Sequence, residues 1–208
     1  MGERLAAGNV AVALLANTVA TGAGLVALIL TFGPVSGAHF NPVVSVADAA
    51  LGGLGWRTAG AYVLAQCTGA IAGVALANAM FGEAVFAWST HARAGGPQLL
   101  SEVTATFGLL SVIWGCARRR SEAVPFAVGA YITSAYWFTA STSFANPAVT
   151  LARSLTDTFA GIRPADVAGF IAAQAVGAAL ATILFRWLVP ALPNVADRVV
   201  VSHQTEGA

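Results

Sequence analysis

The sequence predicts an all-α membrane protein in which two helices begin inside the membrane rather than at its surface. The chain has 208 residues, of which 57% are hydrophobic and only 9% are charged. Soluble domains carry about 25% charged residues. Several apolar stretches are long enough to cross a bilayer, and two Asn-Pro pairs lie within apolar sequence. Together these observations favour a chain that crosses the membrane several times.

The membrane-spanning helices follow from hydropathy, since one helix needs about 20 mostly apolar residues. Five segments fit this pattern: residues 10–32, 58–81, 99–116, 124–140 and 166–189. Residues 83–97 are polar and predict a loop. Three consecutive arginines at 118–120 place the loop after the third span in the cytoplasm, by the positive-inside rule. Arg93 and Arg153 are then expected on the outside.

Each Asn-Pro pair predicts the start of a short helix. Asn is a favoured N-cap residue, and Pro is favoured at the first helical position. Residues 41–51 and 146–157 are helix-like but too short to span the membrane. Exposed backbone at membrane depth is tolerated where it is buried in protein or lines a watery cavity. The two half-helices therefore predict a pore or a solute site.

The chain also contains an internal repeat. The pattern aromatic-x-x-Ala-Gln-x-x-Gly-Ala occurs at residues 62–70 and 170–178, each time at a similar distance after an Asn-Pro pair. Gln66 and Gln174 within it are expected to bond between helices. An odd number of spans per copy would invert one copy against the other. The predicted divisions are a first repeat at 1–97, a second at 98–194 and a polar cytoplasmic tail at 195–208.

The second copy has one more helix than the first. It begins near Glu102, and the same distance counted back from Asn41 falls before Met1. Five full spans are therefore present, and we expect that the first copy lacks its opening helix because the chain is truncated or its start was set too late. The alternative is a natural five-span protein with an open wall facing lipid.

Inverted copies would bring the two half-helix N-termini together near the membrane midplane. Each N-terminus carries about half a positive elementary charge, and two such ends repel protons and cations. The amides of Asn41 and Asn146 can donate hydrogen bonds to a solute, and the carbonyls of the coils before them can accept. His39 can bond nearby backbone or line the pore, and Glu102 can accept from loop amides. This arrangement suits small neutral polar solutes.

Other function classes have less support in the residues. An ion- or proton-coupled secondary transporter would need ionisable residues within the spans, which are nearly free of them. A non-conducting truncated fragment remains the other alternative. We expect no enzyme, cofactor or metal site, because no nucleophile–base pair, ligand cluster or phosphate loop occurs. A net charge of +1 gives no electrostatic support for a nucleic-acid partner.

The chain resembles the aquaporin and aquaglyceroporin family, also called the major intrinsic proteins. The resemblance covers Ser-Gly-Ala-His-x-Asn-Pro at 36–42, Asn-Pro-Ala at 146–148 and the two Ala-Gln-x-x-Gly-Ala repeats. The pore motifs it implies are Asn41, Pro42 and Val43 with Asn146, Pro147 and Ala148. It also implies an inverted-repeat fold, one pore per monomer, a homotetramer in membrane lipid and a location in a bacterial inner membrane.

The resemblance also implies a selectivity filter. Counting from the two Asn residues places it at Thr21, Ser134, Ser143 and Val149. Val149 stands where the family usually has Arg, so we expect a wide, mildly polar constriction. Arg153 lies one helical turn further out, where it could supply a cation or pair with Asp157.

The residues around the second motif narrow the resemblance further. The run at 144–153 is similar to the aquaglyceroporins that accompany bacterial arsenic-resistance genes. The solutes this implies are neutral metalloid hydroxides such as arsenite, together with glycerol-like polyols and water. We therefore expect a passive channel for small neutral solutes.

Overall fold

The computed structural model describes residues 1–117 and 121–189, and the regular structure in those ranges is entirely helical. In chain order the helices are α1 (Gly2–Leu5), α2 (Val10–Ser36), α3 (Pro42–Leu51), α4 (Trp56–Met80), α5 (Gly96–Ala117), α6 (Val124–Phe138), α7 (Pro147–Arg153) and α8 (Pro164–Leu188). A short 3₁₀ turn, Ser121–Ala123, leads into α6. The all-α membrane fold is therefore confirmed.

Four of these helices are long and apolar enough to cross a membrane, namely α2, α4, α5 and α8. The remaining predicted span, residues 124–140, forms the shorter helix α6 of 15 residues. Such a helix is about 22 Å long at 1.5 Å per residue, which is less than the roughly 30 Å of a hydrocarbon core. It ends early because Thr139 adopts an extended backbone that starts the second re-entrant coil.

Glycines allow the long helices to approach closely. Helices α2 and α6 pack together where Gly22 faces Gly129. A Cβ at Gly129 would lie 2.9 Å from the carbonyl oxygen of Gly22. Helix α5 packs along α8, and a Cβ at Gly177 would lie 2.4 Å from the carbonyl oxygen of Val103. Both contacts need a residue without a side chain.

The two half-helices are α3 and α7, and both begin at the predicted Asn-Pro pairs. The predicted end of the second, at residue 157, is wrong, because α7 ends at Arg153. The next two carbonyls accept from a neighbouring loop instead. Ser89 N donates to Ser154 O, and Ala87 N donates to Leu155 O, both at 3.0 Å. These two hydrogen bonds hold residues 154 and 155 outside the helix.

Several expectations concern the ends of the chain and of its repeats. The segment before α2 contains the short helix α1. The arginines at 118–120 and the tail at 195–208 lie outside the described residues. The boundaries of the two repeats and the absent opening helix stay predictions.

Candidate functional site: the junction of two half-helices

The two half-helices start in the same way. Asn41 and Asn146 both have extended backbones, with φ of −152° and −155°, and each is followed by Pro at the first helical turn. The Asn41 side-chain oxygen accepts from Val43 N at 3.2 Å. The Asn146 oxygen accepts from Ala148 N at 3.0 Å. Side-chain capping of this kind satisfies amides that a helix N-terminus leaves without a partner.

The coil before each Asn is held in an uncommon conformation. Residues with positive φ but a side chain occur in both coils: Ala38 and Phe40 in the first, and Thr142, Ser143 and Ala145 in the second. Left-handed backbone costs such residues about 1–3 kcal/mol each and persists only where the surroundings impose it. Strain of this kind, repeated on both sides, marks the coils as a candidate functional site.

The two Asn side chains join the repeats at the centre of the molecule. The Asn41 amide donates to the carbonyl oxygen of Ala145 at 2.7 Å. The Asn146 amide donates to the carbonyl oxygen of Phe40 at 2.8 Å. These two coil carbonyls, expected to serve a solute, therefore accept from the opposite Asn. Each amide carries a second N–H, so a donor remains on each side of the junction.

Glu102 braces the second coil from within α5. It is fully buried, and its carboxylate accepts from the backbone N–H of Phe144 at 2.9 Å and of Ala145 at 2.8 Å. Ser141 Oγ and Gln174 Nε2 also donate to it, each at 2.6 Å. Four hydrogen bonds offset the cost of burying the charge. Glu102 therefore acts as the acceptor that fixes this coil.

Arg93 holds the same coil from the outer loop. Its guanidinium is 5% exposed and donates to the carbonyl oxygens of Ser141 at 3.0 Å and Gly161 at 2.7 Å. Burial lowers the pKa of Arg93 to about 10, so it remains a cation at neutral pH. Sequence reasoning placed Arg93 outside but missed this role, since a single Arg in a polar loop carries no pattern that points to a partner.

A different network supports the first coil. The Gln66 amide donates to Ser45 Oγ at 2.9 Å, and the same hydroxyl lies 3.0 Å from His39 Nδ1. On its other side, His39 Nε2 lies 3.6 Å from a carboxylate oxygen of Asp48. His39 also lines the central cavity. The expected partner of its ring was nearby backbone, whereas Ser45 and Asp48 approach it with side chains, and its place in a pore stays a prediction.

The junction forms part of the wall of a cavity of about 130 Å³. One water needs on the order of 10–15 Å³ of such space, so a short file of waters fits. The polar part of the wall includes Thr21, His39, Asn41, Tyr136, Asn146 and Arg153. Most of the remaining wall is aliphatic, including Leu25, Ile29, Val44, Leu109, Ile113, Val128, Ile132 and Val149. The cavity thus has an apolar wall with a few polar groups.

Comparisons with known proteins agree with this geometry. The profile of the major intrinsic protein family matches residues 3–139. The chain belongs to this family. It is 57% identical over 184 residues to the aquaglyceroporin AqpS of Rhizobium meliloti (strain 1021). The aligned region covers 88% of this chain and 79% of that protein.

Plant relatives match a smaller part. Aquaporin NIP1-3 of Oryza sativa subsp. japonica is 36% identical over 62% of the chain, and aquaporin NIP1-1 of Zea mays is 37% identical over 53%. The chain spans 48% and 41% of these two plant proteins. The channels of this family are transporters rather than enzymes, and the chain is a multi-pass membrane protein of that family.

In this major intrinsic protein the expected filter residues do not all meet. Thr21 and Val149 line the cavity. Ser134 is exposed, and its hydroxyl donates to the carbonyl oxygen of Tyr131 at 2.7 Å. Tyr136 faces the cavity instead. Residues two positions apart on a helix are rotated by roughly 200°, so counting that is off by two selects the opposite face.

Ser143 also departs from the expectation. It is buried and does not border the cavity, and its hydroxyl has no hydrogen-bond partner among the residues that the structure describes. Tyr136 was missed, although a polar aromatic residue within an apolar span is a signal that could have drawn attention to it. Its hydroxyl lies 3.3 Å from Thr21 Oγ1.

Arg153 lines the cavity. Its Nη2 donates to the Tyr136 hydroxyl at 3.2 Å, and its guanidinium carbon lies 4.3 Å from the centroid of the Phe144 ring. Asp157, the other partner considered for it, accepts from Thr90 N at 2.8 Å and from the Thr90 hydroxyl at 3.0 Å. These bonds lower the pKa of Asp157 below its ordinary value.

Proposed function

We propose that this protein is a passive transmembrane channel for small neutral solutes, namely metalloid hydroxides such as arsenite, glycerol-like polyols and water. The observation that carries the proposal is the junction of two capped half-helices in the cavity wall, with Asn41 and Asn146 each bonded to the opposite coil. Membership of the channel family supports the passive mechanism.

The electrostatics of the junction favour neutral molecules. The N-termini of α3 and α7 both point to it, and each carries a partial positive charge. A cation would meet that charge after losing its hydration shell in an apolar cavity. A hydroxylated solute can accept from the second N–H of each Asn amide. Glu102 is held by four donors and does not line the cavity, which favours a structural role for it.

The solute class is the finer part of the proposal. Val149 presents an aliphatic side chain where most relatives in the resembled family have Arg, which favours solutes wider than water. The bacterial relative is named an aquaglyceroporin. Arsenite at neutral pH is an uncharged trihydroxide, so it presents the same kind of hydroxyl groups as a polyol. Arsenite itself rests on the resemblance described above.

We further propose that the channel lies in a bacterial plasma membrane as a homotetramer. In a single copy, α4 exposes large apolar residues, including Trp56, Leu64, Leu76 and Met80. Such a surface is stable in contact with lipid or with neighbouring copies. Cross-linking in native membranes would distinguish four copies from one.

Stopped-flow light scattering on proteoliposomes tests the channel. We expect water, glycerol and arsenite to cross faster than in empty liposomes. Val149→Arg is expected to lower glycerol and arsenite permeability more than water permeability, because the longer side chain narrows the path. Val149→Leu is the matched control, since it adds bulk without charge. Permeation no faster than in empty liposomes would exclude the proposed function.

A further inference from the structure

The chain lacks Arg at the position after its Asn-Pro-Ala motif, and Val149 there offers only methyl groups. On the same helix, however, Arg153 also borders the cavity. The two positions are four residues apart, so they share one face of α7, with Arg153 about 6 Å further from the junction. A cation therefore borders the cavity one helical turn further out than the position where the family usually has Arg.

The position of this guanidinium is fixed from two sides. Tyr136, which is 3% exposed, accepts from Arg153 Nη2 at 3.2 Å and lies 3.3 Å from Thr21 Oγ1. The Phe144 ring lies below the guanidinium at 4.3 Å. That ring is itself fixed, because Phe170 packs against it edge to face at 5.5 Å. Contacts from α2, α6, the second coil and α8 thus set where the charge lies.

Among the described residues, no carboxylate forms an ion pair with Arg153. The ion pairs found among the described residues join Arg4 to Glu83, His39 to Asp48 and Arg163 to Asp166. Arg93 adds a second cation close by, with its guanidinium carbon 4.7 Å from the same Phe144 centroid. Arg93 is buried among carbonyl oxygens, whereas Arg153 borders the cavity. Arg153 is therefore the cation that a passing solute meets.

We propose that Arg153, held by Tyr136 and Phe144, is the fixed cation of the cavity wall on the outer side of the junction and determines the selectivity of the cavity. Its remaining N–H groups donate to the hydroxyl oxygens of neutral solutes, and its charge repels cations before they reach the junction. Because Arg153 lies one turn further out, no long charged side chain narrows the cavity at the level of Val149. The exclusion of cations and the width of the cavity are thus set at two different levels of α7. This inference rests on the proposed channel function.

Cation leak in proteoliposomes tests the inference, measured as proton flux with an enclosed pH-sensitive dye beside glycerol permeability. Arg153→Gln keeps hydrogen-bond donors but removes the charge, so we expect proton leak to rise by about tenfold or more. Glycerol permeability should change much less. Arg57→Gln is the matched control, because Arg57 is exposed at the start of α4 and does not border the cavity.

Two further variants keep the test decisive. Tyr136→Phe preserves the ring and removes the hydroxyl that holds Arg153, so it should raise proton leak in the same direction by a smaller factor. Adding Val149→Arg to Arg153→Gln should restore low leak by returning a cation one turn deeper. Leak in Arg153→Gln equal to that in Arg57→Gln overturns the inference. Should Arg153→Gln not fold, unchanged leak in Tyr136→Phe overturns it.

Failure of the channel itself would look different. A wild-type protein that passes neither water nor glycerol above empty liposomes contradicts the proposed function. A wild-type protein that conducts both, with no change on loss of the Arg153 charge, contradicts only the role of Arg153.

Discussion

The two re-entrant segments share one junction but have different supports. At the junction they are nearly equivalent: each Asn caps its own half-helix and donates to the coil of the other at 2.7–2.8 Å. Behind the junction, the second coil rests on the buried carboxylate of Glu102 and on Arg93. The first coil is supported by the network of Gln66, Ser45 and His39.

The repeated helices α4 and α8 show the same contrast. Gly177 in α8 lies against the backbone of α5, whereas a Cβ at Gly69 in α4 would meet none of the described residues within 4 Å. Gln174 bonds both Glu102 and Thr150, and Gln66 bonds Ser45. Within the described part of the chain, no long helix packs along α4 as α5 packs along α8. The same Ala-Gln-x-x-Gly-Ala motif is therefore expected to contribute more to stability in α8 than in α4.

The largest expected effect is at Glu102. In Glu102→Gln, one carboxylate oxygen becomes an NH₂ group, so at least two of the four buried donors face another donor instead of an oxygen acceptor. We expect the free energy of unfolding, measured by denaturing titration in mixed micelles, to fall by roughly 2–6 kcal/mol, because each buried donor left without an acceptor costs about 1–3 kcal/mol. Glu83→Gln is the control, because its side chain is about half exposed and its ion pair with Arg4 lies at the surface. Equal effects of the two substitutions would contradict the bracing role of Glu102.

The paired glycines separate the two repeats directly. Gly177→Ala places a Cβ 2.4 Å from Val103 O, so α5 and α8 must move apart at a cost of about 1–3 kcal/mol. Gly69→Ala meets open space and should stabilise the helix by about 0.5–1 kcal/mol. Thermal unfolding in detergent, followed by helical circular dichroism, gives the sign of each change. A loss of stability in both variants would mean that α4 is packed as closely as α8.

The paired glutamines should show a smaller difference. Gln174→Leu removes a bond to a charged acceptor and one to the Thr150 hydroxyl, for which we expect a loss of about 2 kcal/mol. Gln66→Leu removes one neutral bond, for which about 1 kcal/mol is expected. The same micelle titration measures both. The comparison would be wrong if Gln66→Leu were the more damaging change.

At the third residue of each motif we expect an effect no larger than that of Gln66→Leu. Val43 is 8% exposed and Ala148 is 2% exposed, so Val43 contributes buried methyl groups that its counterpart lacks. Val43→Ala should lower the free energy of unfolding by about 1 kcal/mol and leave water permeability unchanged, because Val43 does not border the central cavity. A change in permeability would show that Val43 influences the path after all.

Sequence reasoning about the expected filter succeeded where local information was enough and failed where helix packing was needed. The identity of the two half-helix starts follows from Asn and Pro, whose capping acts within four residues. Choosing Tyr136 over Ser134 requires the rotation of α6 about its axis. That rotation is set by packing against α2, through Gly22 and Gly129, and a count from Asn146 contains no information about it.

The sequence by itself determined the membrane class, the long helices and the two helix starts, because hydropathy and capping are local properties. It also indicated Glu102 and Arg153 as residues to examine. Only the tertiary structure decided what they contact: Glu102 the second coil, and Arg153 the hydroxyl of Tyr136. It likewise assigned Arg93 to the carbonyls of distant loops. Such partners lie far apart in sequence and meet only when helix packing brings them together.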